Sequence, residues 1–178
     1  VPVAGHSPLW QRRGCIEDLD FETPFDVVTL FHVLEHVPSP RRTVEKCRSL
    51  LRPGGLLVVA VPNELQSAKL RTKRVLGRVG ARRYRRLGRF GLQRIRLDTS
   101  TAEVHLSHFT PSVLRGFLED AGFSLVSHSL DPYYVSTGFR AVLSHLYYHA
   151  NLAWRRLTGW NAYDTIWMVA RKQETGPD

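Results

Sequence analysis

Two short apolar runs on either side of a helix-start signal constrain the fold of this chain most strongly. Residues 25–31 (FDVVTLF) and 56–61 (LLVVAV) are rich in β-branched residues, which is typical of strands buried on both faces of a parallel sheet. Between them, Ser39 as N-cap before Pro40 predicts a helix start, and Pro53, Gly54 and Gly55 predict its end. Strand, helix and strand with short links form a βαβ unit, so the two strands are expected to be parallel.

Four more elements follow this unit. Thr110 before Pro111 repeats the cap-then-proline signal, and Gly122 predicts the end of that helix. Residues 123–128 and 165–170 are predicted strands. Residues 139–157 are predicted as an amphipathic helix, whose apolar side holds Val142, Leu143, Leu146, Ala150, Ala153 and Leu157. Length and composition fit a single α/β domain over residues 1–178.

The basic character of the chain belongs to one segment. The formal net charge is +9, yet 12 of the 25 Lys and Arg residues, and no acid, lie between Lys69 and Arg96. We therefore expect residues 64–104 to form a basic insert or lid of short helices. Arginine interleaved with Tyr84 and Phe90 favours an anionic partner, either nucleic acid or an anionic membrane surface, or else a solvated lid without a partner.

Composition also bears on location. The two cysteines, Cys15 and Cys47, have no metal or redox spacing, and they are expected to be small buried or half-buried side chains in a reduced, cytoplasmic setting. No apolar run is long enough for a transmembrane span, and the first residues lack the pattern of a signal peptide. The chain also lacks an initiator Met, as a fragment of a longer protein would.

Three segments, in this order, resemble one family: FDVVTLFHVLEHVPSP (residues 25–40), LLRPGGLLVVAVPN (50–63) and HLSHFTPSVLRGFLEDAGF (105–123). They resemble the second half of a class I S-adenosylmethionine (SAM)-dependent methyltransferase of the ubiquinone-biosynthesis-like type. The resemblance implies a partial doubly wound, Rossmann-like sheet with strands four to seven of a seven-stranded plan, the last strand antiparallel. The family's Gly-rich loop, G-x-G-x-G, does not occur in this sequence. The resemblance therefore implies that the N-terminal half, which binds most of the cofactor, is missing. It also implies that strand four is an exposed apolar edge.

The resemblance also implies a cofactor and its wall. SAM is the expected cofactor, and ligands of open α/β sheets lie beyond the carboxyl ends of the strands. Phe31, His32 and Val33, at the end of the first predicted strand, resemble the wall that contacts SAM. Ile16 and Glu17 resemble the turn near the adenine, where Cys15 replaces an aspartate common in relatives.

The run from His32 to His36 (HVLEH) has several interpretations. By resemblance, His32 and His36 could act as a catalytic base with Glu35 nearby, since imidazole titrates near neutral pH. The run is also similar to an E-x-x-E-H cation motif, in which His32 replaces the first Glu, and a nitrogen-rich set with His105 or His108 would suit zinc. It also matches the H-x-x-E-H motif of a metalloprotease, although no helix is evident here. A histidine pair that only caps the strand is the remaining interpretation. From the sequence, no residue is assigned as a metal ligand.

Asn63, His105 and His108 resemble the substrate side of the site, although a turn cap and two exposed loop histidines are the alternatives. The expected activity is methyl transfer to oxygen of a small or lipid-linked acceptor. Two alternatives stay open: an inactive remnant, and a non-catalytic basic module that binds nucleic acid or an anionic membrane. The expected location is cytoplasmic, with a peripheral membrane position as the option for a lipid-linked acceptor.

Overall fold

The computed structural model describes residues 12–78, 105–130 and 137–174. After a short 3₁₀ helix (Ile16–Asp18), the described elements in chain order are β1 (Phe25–Phe31), α1 (Pro40–Leu50), β2 (Leu51–Pro62), α2 (Ala68–Arg78), α3 (Pro111–Asp120), β3 (Phe123–Ser129), α4 (Phe139–Thr158) and β4 (Thr165–Lys172). Within these residues, the strands predicted at 25–31, 56–61, 123–128 and 165–170 and the helices predicted after Ser39, after Thr110 and over 139–157 are present. The fold is therefore of the α/β class, as expected.

The four strands form one mixed sheet in the order β1-β2-β4-β3. β1 and β2 are parallel, as the βαβ unit predicts. β4 is antiparallel to both of its neighbours, β2 and β3, which confirms the expected direction of the last strand. β1 forms one edge of this sheet.

The hydrophobic core lies on one face of the sheet. Alternate residues of the strands, such as Leu57 and Val59 on β2 and Met168 on β4, point to this face and are almost fully buried. They pack in one cluster with Val44 of α1 and Leu114 of α3. Helices α1 and α3 therefore both cover this face of the sheet.

The opposite face corrects the expectation that β1 is buried on both sides. Leu30 is the one β1 residue classed as buried, whereas Phe25, Val27 and Phe31 are 37%, 48% and 49% exposed. Among the described elements, the helices that pack against the core cover the face that Leu30 shares. The outward set of β1 therefore has no described helix above it, and β1 is an exposed apolar edge as expected.

The ends of α1 differ from the prediction in two ways. Ser39 occupies the N-cap position, but its side chain makes no capping hydrogen bond. At the other end, β2 already begins at Leu51, so Pro53, Gly54 and Gly55 belong to the strand rather than to a helix stop. Leu51 pairs with Phe25 and Leu56 pairs with Val27, so the extra residues form a bulge.

The signals around α3 are confirmed. The Thr110 hydroxyl accepts a hydrogen bond from the Val113 N–H, which satisfies a free donor of the first turn. Gly122, just after the helix, has φ +81°, a left-handed conformation that favours glycine. A Cβ there would lie 2.8 Å from the Arg48 Nε atom. The turn into β3 therefore favours glycine for its backbone conformation, whereas the flexible Arg48 side chain could move aside.

Helix α4 exists, but its apolar side is not in the core. Val142, Leu143, Leu146 and Leu157 are between 50% and 84% exposed. The one α4 residue classed as buried is Asn151, and the nearby Tyr147 and Tyr148 rings contact the Tyr163 ring, the second of them edge-on. The helix therefore packs through a polar and aromatic side and presents its apolar side outward.

Three expectations remain: the basic segment, the lack of a membrane span and the burial of the two cysteines. Helix α2 covers the start of the basic segment, whereas residues 79–104 lie outside the described residues. Within the described part, no helix combines the length and apolar character that a membrane span requires. Both cysteines are free: Cys47 is buried, as expected, but Cys15 is exposed, which corrects that expectation.

Candidate active site

The carboxyl end of β1 leads into a tight turn that carries the HVLEH run. His32 has φ +52°, in the left-handed region that a non-glycine residue seldom adopts. Its N–H donates to the Ala60 carbonyl at 2.9 Å, which extends the ladder with β2 by one residue. The His36 N–H donates to the Val33 carbonyl at 3.0 Å and closes the turn. Such strain persists only where surrounding contacts hold it, often at functional sites.

Glu35 is the centre of this turn. Its side chain is 1% exposed, whereas the His32 and His36 side chains are 45% and 32% exposed. Glu35 Oε1 lies 3.2 Å from His32 Nδ1 and 3.9 Å from His36 Nε2. Glu35 Oε2 is buried with no hydrogen-bond partner in the structure. The three residues assigned as catalytic from the sequence are therefore grouped around one buried carboxylate.

The Glu35 backbone also anchors the second histidine loop. Its carbonyl accepts hydrogen bonds from the N–H groups of Leu106 at 2.7 Å and Ser107 at 3.1 Å. This pairing brings the His105 ring to a centroid distance of 4.8 Å from the His36 ring. The histidines expected on the substrate side thus lie beside those expected at the catalytic turn.

Glu64 joins the two substrate-side histidines and was not singled out from the sequence. Its Oε1 lies 2.9 Å from His105 Nδ1, and its Oε2 lies 2.6 Å from His108 Nδ1. It directly follows Asn63, which is 1% exposed and donates through Nδ2 to the carbonyls of Asn161 and Tyr163. Asn63 therefore fixes the exit of β2 rather than facing a ligand through its amide N–H groups. Its place at a strand exit was the only sequence signal for Glu64.

Two overlapping groups in this cluster have ligand atoms close enough to hold one metal ion. They are Glu35, His36 and His105, and Glu64, His105 and His108, and within each group these atoms lie within 4.8 Å of one another. The H-x-x-E-H protease interpretation is not favoured, because His32 to His36 lie in a turn and not on a helix.

An apolar wall borders the turn. Phe31 stacks on Trp167 of β4 with ring centroids 5.1 Å apart, and Val33 is 38% exposed. The two rings flank Ala60, the β2 residue that pairs with both. Of the residues expected to contact the cofactor, Phe31, His32 and Val33 are consecutive and all partly exposed. Trp167 was missed because its place beside Phe31 depends on strand order.

Ile16 and Glu17 lie against α1. Ile16 packs against the core, and the Thr43 hydroxyl donates to Glu17 Oε1 at 2.5 Å. This hydrogen bond is the main reason why the pKa of Glu17 lies below its ordinary value. In the described part of the chain, the contacts of these two residues do not include the histidine cluster. An ionised Glu17 is thus tied to the first turn of α1.

A groove of about 480 Å³ lies between α2 and α4. Trp154 and Trp160 line it, and the Arg71 guanidinium lies 4.2 Å from the centre of the Trp160 ring. Trp160 directly precedes Asn161, the residue whose carbonyl Asn63 binds. The groove therefore opens near the exit of β2, and it combines aromatic surface with one cation.

Comparison with known proteins decides the family. A family model described as a methyltransferase domain matches residues 7–128, more than half of the chain. The chain belongs to this family. The methyltransferase domain is also 44% identical, over 59 residues, to a ubiquinone biosynthesis O-methyltransferase from Xanthomonas campestris pv. campestris. That match covers 32% of this chain and 25% of the relative, so the chain matches only about a quarter of the relative's length.

Solved structures support the same fold. A SAM-dependent methyltransferase from Thermotoga maritima superposes with a TM-score of 0.53 at 14% identity, over 93% of this chain and 65% of that one. A SAM-dependent methyltransferase from Methanosarcina mazei gives a TM-score of 0.50 at 20% identity, over 90% of this chain and 65% of that one. The resemblance to class I SAM-dependent methyltransferases is therefore confirmed at the level of the family and of the α/β fold.

Proposed function

We propose that this methyltransferase domain uses SAM to methylate an oxygen atom of a small or lipid-linked acceptor. The observation that carries the proposal is the turn at the end of β1, where His32 and His36 flank a buried Glu35 beside the exposed Phe31 and Val33. This turn lies where ligands of open α/β sheets bind. The relative from Xanthomonas campestris, by its name, acts in ubiquinone biosynthesis as an O-methyltransferase.

The residues of the turn suit both reaction partners. The Phe31 ring, stacked on Trp167, offers a flat apolar surface of the kind that accepts an adenine or a methylene chain. When bound, SAM would supply the electrophilic methyl group. Glu17 is engaged by Thr43, so we assign its hydrogen bond to holding the adenine-side turn rather than to direct ligand contact.

His36 or His32 would serve as the base in this mechanism. The imidazole would accept the proton of the acceptor hydroxyl as that oxygen took the methyl group that bound SAM would supply, and S-adenosylhomocysteine would leave as the second product. The imidazolium that results is stabilised by Glu35 Oε1, 3.2 Å from His32 and 3.9 Å from His36. Because Glu35 is buried and held by its backbone, it orients the imidazole at little entropic cost.

We further propose that β1, β2, β3 and β4 are strands four, five, six and seven of the family's seven-stranded plan. The sheet order β1-β2-β4-β3, with β1 at an edge and its outward side chains exposed, supports this assignment. The groups that hold the methionine carboxylate and the ribose would then belong to the missing half, since the sequence has no G-x-G-x-G.

This assignment predicts weak cofactor binding by the 178-residue chain alone. We expect calorimetry with S-adenosylhomocysteine to give no measurable heat, and to give micromolar binding once the upstream half is restored, because most polar contacts to the ligand would come from that half. A Phe31→Ala variant of the restored protein should bind more weakly, by about 1.5–3 kcal/mol of lost apolar burial.

Two outcomes would contradict the proposal. Micromolar binding by the 178-residue chain alone would mean that a complete cofactor site lies within it. No binding after restoration would identify the domain as an inactive remnant. Val113→Ala, at an exposed position of α3, is the matched control for Phe31→Ala and should leave the affinity unchanged.

Helix α4 supports a peripheral position at an anionic membrane, and we propose that its outward side contacts lipid. This side exposes Phe139, Val142, Leu143 and Leu146, and the helix carries Arg residues and no Asp or Glu. The combination is typical of helices that lie in a membrane interface. The aromatic groove between α2 and α4 would then receive a lipid-linked acceptor at the same surface, with α2 beginning the basic segment from Lys69 to Arg96.

Vesicle sedimentation tests this position. The chain should co-sediment with phosphatidylglycerol-containing vesicles, and Leu146→Asp should lower the partition at least about tenfold, because it removes apolar burial and adds a repelled charge. Val113→Asp makes the same kind of change at a comparably exposed residue of α3 and should have little effect. Equal losses in both variants would refute a role for α4. Salt-sensitive binding to RNA without vesicle binding would instead favour a nucleic-acid module.

A further inference from the structure

We propose that Glu64, His105 and His108 form a binding site for a divalent transition-metal ion, with zinc as the best-suited ion. This inference does not depend on the proposed methyl transfer. One ligand atom of each residue lies within 4.8 Å of the other two. One carboxylate and two imidazoles are a donor set that suits zinc and related ions and leaves a position open for a further ligand.

The distances in the group are close to those that a metal ion requires. Glu64 lies 2.9 Å from His105 Nδ1 and 2.6 Å from His108 Nδ1. Ligand atoms placed tetrahedrally at about 2.0–2.1 Å from zinc are about 3.3 Å apart. The two distances between Glu64 and the histidines therefore need to lengthen by less than an ångström, which rotation of partly exposed side chains can supply.

The backbone on each side of the group is fixed. Glu64 follows Asn63, whose amide holds the Asn161 and Tyr163 carbonyls. His105 and His108 flank the two N–H groups that bind the Glu35 carbonyl, and Phe109, just after them, is buried in the core. Ligands on fixed backbone bind a metal more tightly, because less freedom is lost on binding.

A second observation points to a cation at this place. Glu35 Oε2 is buried with no hydrogen-bond partner in the structure, although a buried carboxylate oxygen without a partner is costly. Glu35 and His36 share His105 with the proposed site, with ligand atoms again within 4.8 Å. An ion on His105 would therefore place positive charge beside the Glu35 carboxylate, whose Oε2 lacks a partner.

Titration of the chelator-treated 178-residue chain with ZnCl₂ by calorimetry, and with CoCl₂ by visible absorbance, tests the site. We expect zinc binding and the absorbance bands of tetrahedral cobalt. Glu64→Gln and His108→Ala should each weaken zinc binding by at least about tenfold. Both side chains are partly exposed, so the variants should keep the far-UV circular dichroism of the parent.

The matched control is His145→Ala. His145 and His149 lie one turn apart on α4 with ring centroids 6.2 Å apart, so in the described part of the chain they offer a second histidine pair for adventitious zinc. Loss of binding in His145→Ala, with Glu64→Gln and His108→Ala unchanged, would overturn the proposal. So would the absence of zinc binding by the parent chain. Retained binding in His145→Ala, with loss in the two site variants, supports it.

Discussion

Replacing Asn63 with aspartate is expected to lower the free energy of unfolding by about 3–5 kcal/mol at neutral pH, because it leaves an uncompensated buried charge. Asn63 is 1% exposed, and its Nδ2 donates to the carbonyl oxygens of Asn161 at 3.0 Å and Tyr163 at 2.9 Å. Aspartate has almost the same shape, but an ionised carboxylate would face two acceptors and offer no proton. Both hydrogen bonds would be replaced by repulsion.

The loss should depend on pH. Burial and the two carbonyls favour the neutral acid, so the folded-state pKa of the new carboxyl is raised above its unfolded value of about 3.9. A raised folded pKa means that stability falls as pH rises through it. The deficit relative to the parent should therefore be larger at neutral pH than at mildly acidic pH. Urea unfolding curves at both pH values give the comparison.

Gln66→Glu is the control for this change. It converts another amide to an acid close by, but the Gln66 oxygen accepts a hydrogen bond from the Trp160 Nε1–H, and a carboxylate keeps that acceptor. We expect a change within about 0.5 kcal/mol. If both variants lost the same stability, a general effect of added charge would explain the loss, and the role of Asn63 as a donor would be refuted.

Replacing Phe123 with alanine is expected to cost about 3–5 kcal/mol of unfolding free energy. Phe123 is the first residue of β3, has no exposed surface, and belongs to the core cluster that β2, β4, α1 and α3 share. Truncation would leave a cavity in the layer between sheet and helices. Domains of this size are marginally stable, so the loss is a large part of the total.

Urea unfolding measures this effect, and two variants keep it interpretable. Phe139→Ala makes the same truncation at a residue that is 75% exposed, so its stability should change by about 0.5 kcal/mol or less. Phe123→Leu retains most of the volume and should cost less than about 1.5 kcal/mol, so it can be measured even if the alanine variant does not fold. Equal urea midpoints for Phe123→Ala and Phe139→Ala would mean that the layer between the sheet and the helices, where Phe123 lies, is not the hydrophobic core.

Local sequence patterns predicted where the strands and helices lie better than they predicted what packs against each of them. The apolar runs and the Thr110 and Gly122 signals act within a few residues, so β1, α3 and β3 could be predicted. The periodicity of α4 shows which residues share a side, but not whether anything packs against that side. In the structure, Leu146 on the apolar side is exposed, whereas the polar Asn151 is buried.

The candidate site also combines residues that are neighbours in the sequence with residues that only the fold brings together. His32, Glu35 and His36 are neighbours in one turn, so the sequence spacing could group them. Glu64 and Trp167 join the site through the loop at Glu35 and the pairing of β4 with β2, contacts between distant parts of the chain. The positions of Glu64 and Trp167 in the site depend on how distant segments pair in the fold, and local sequence patterns do not reveal that pairing.

The position of β4 has a consequence for how the chain is made. It follows β2 and β3 in the chain, yet it lies between them in the sheet, and Trp167 pairs with Ala60. A ribosome therefore releases β4 only after both neighbouring strands, which wait until then with open hydrogen-bonding edges. Pairing across so long a stretch of chain is slow. A stop codon placed just before β4 would leave a gap inside the described sheet rather than a shortened rim.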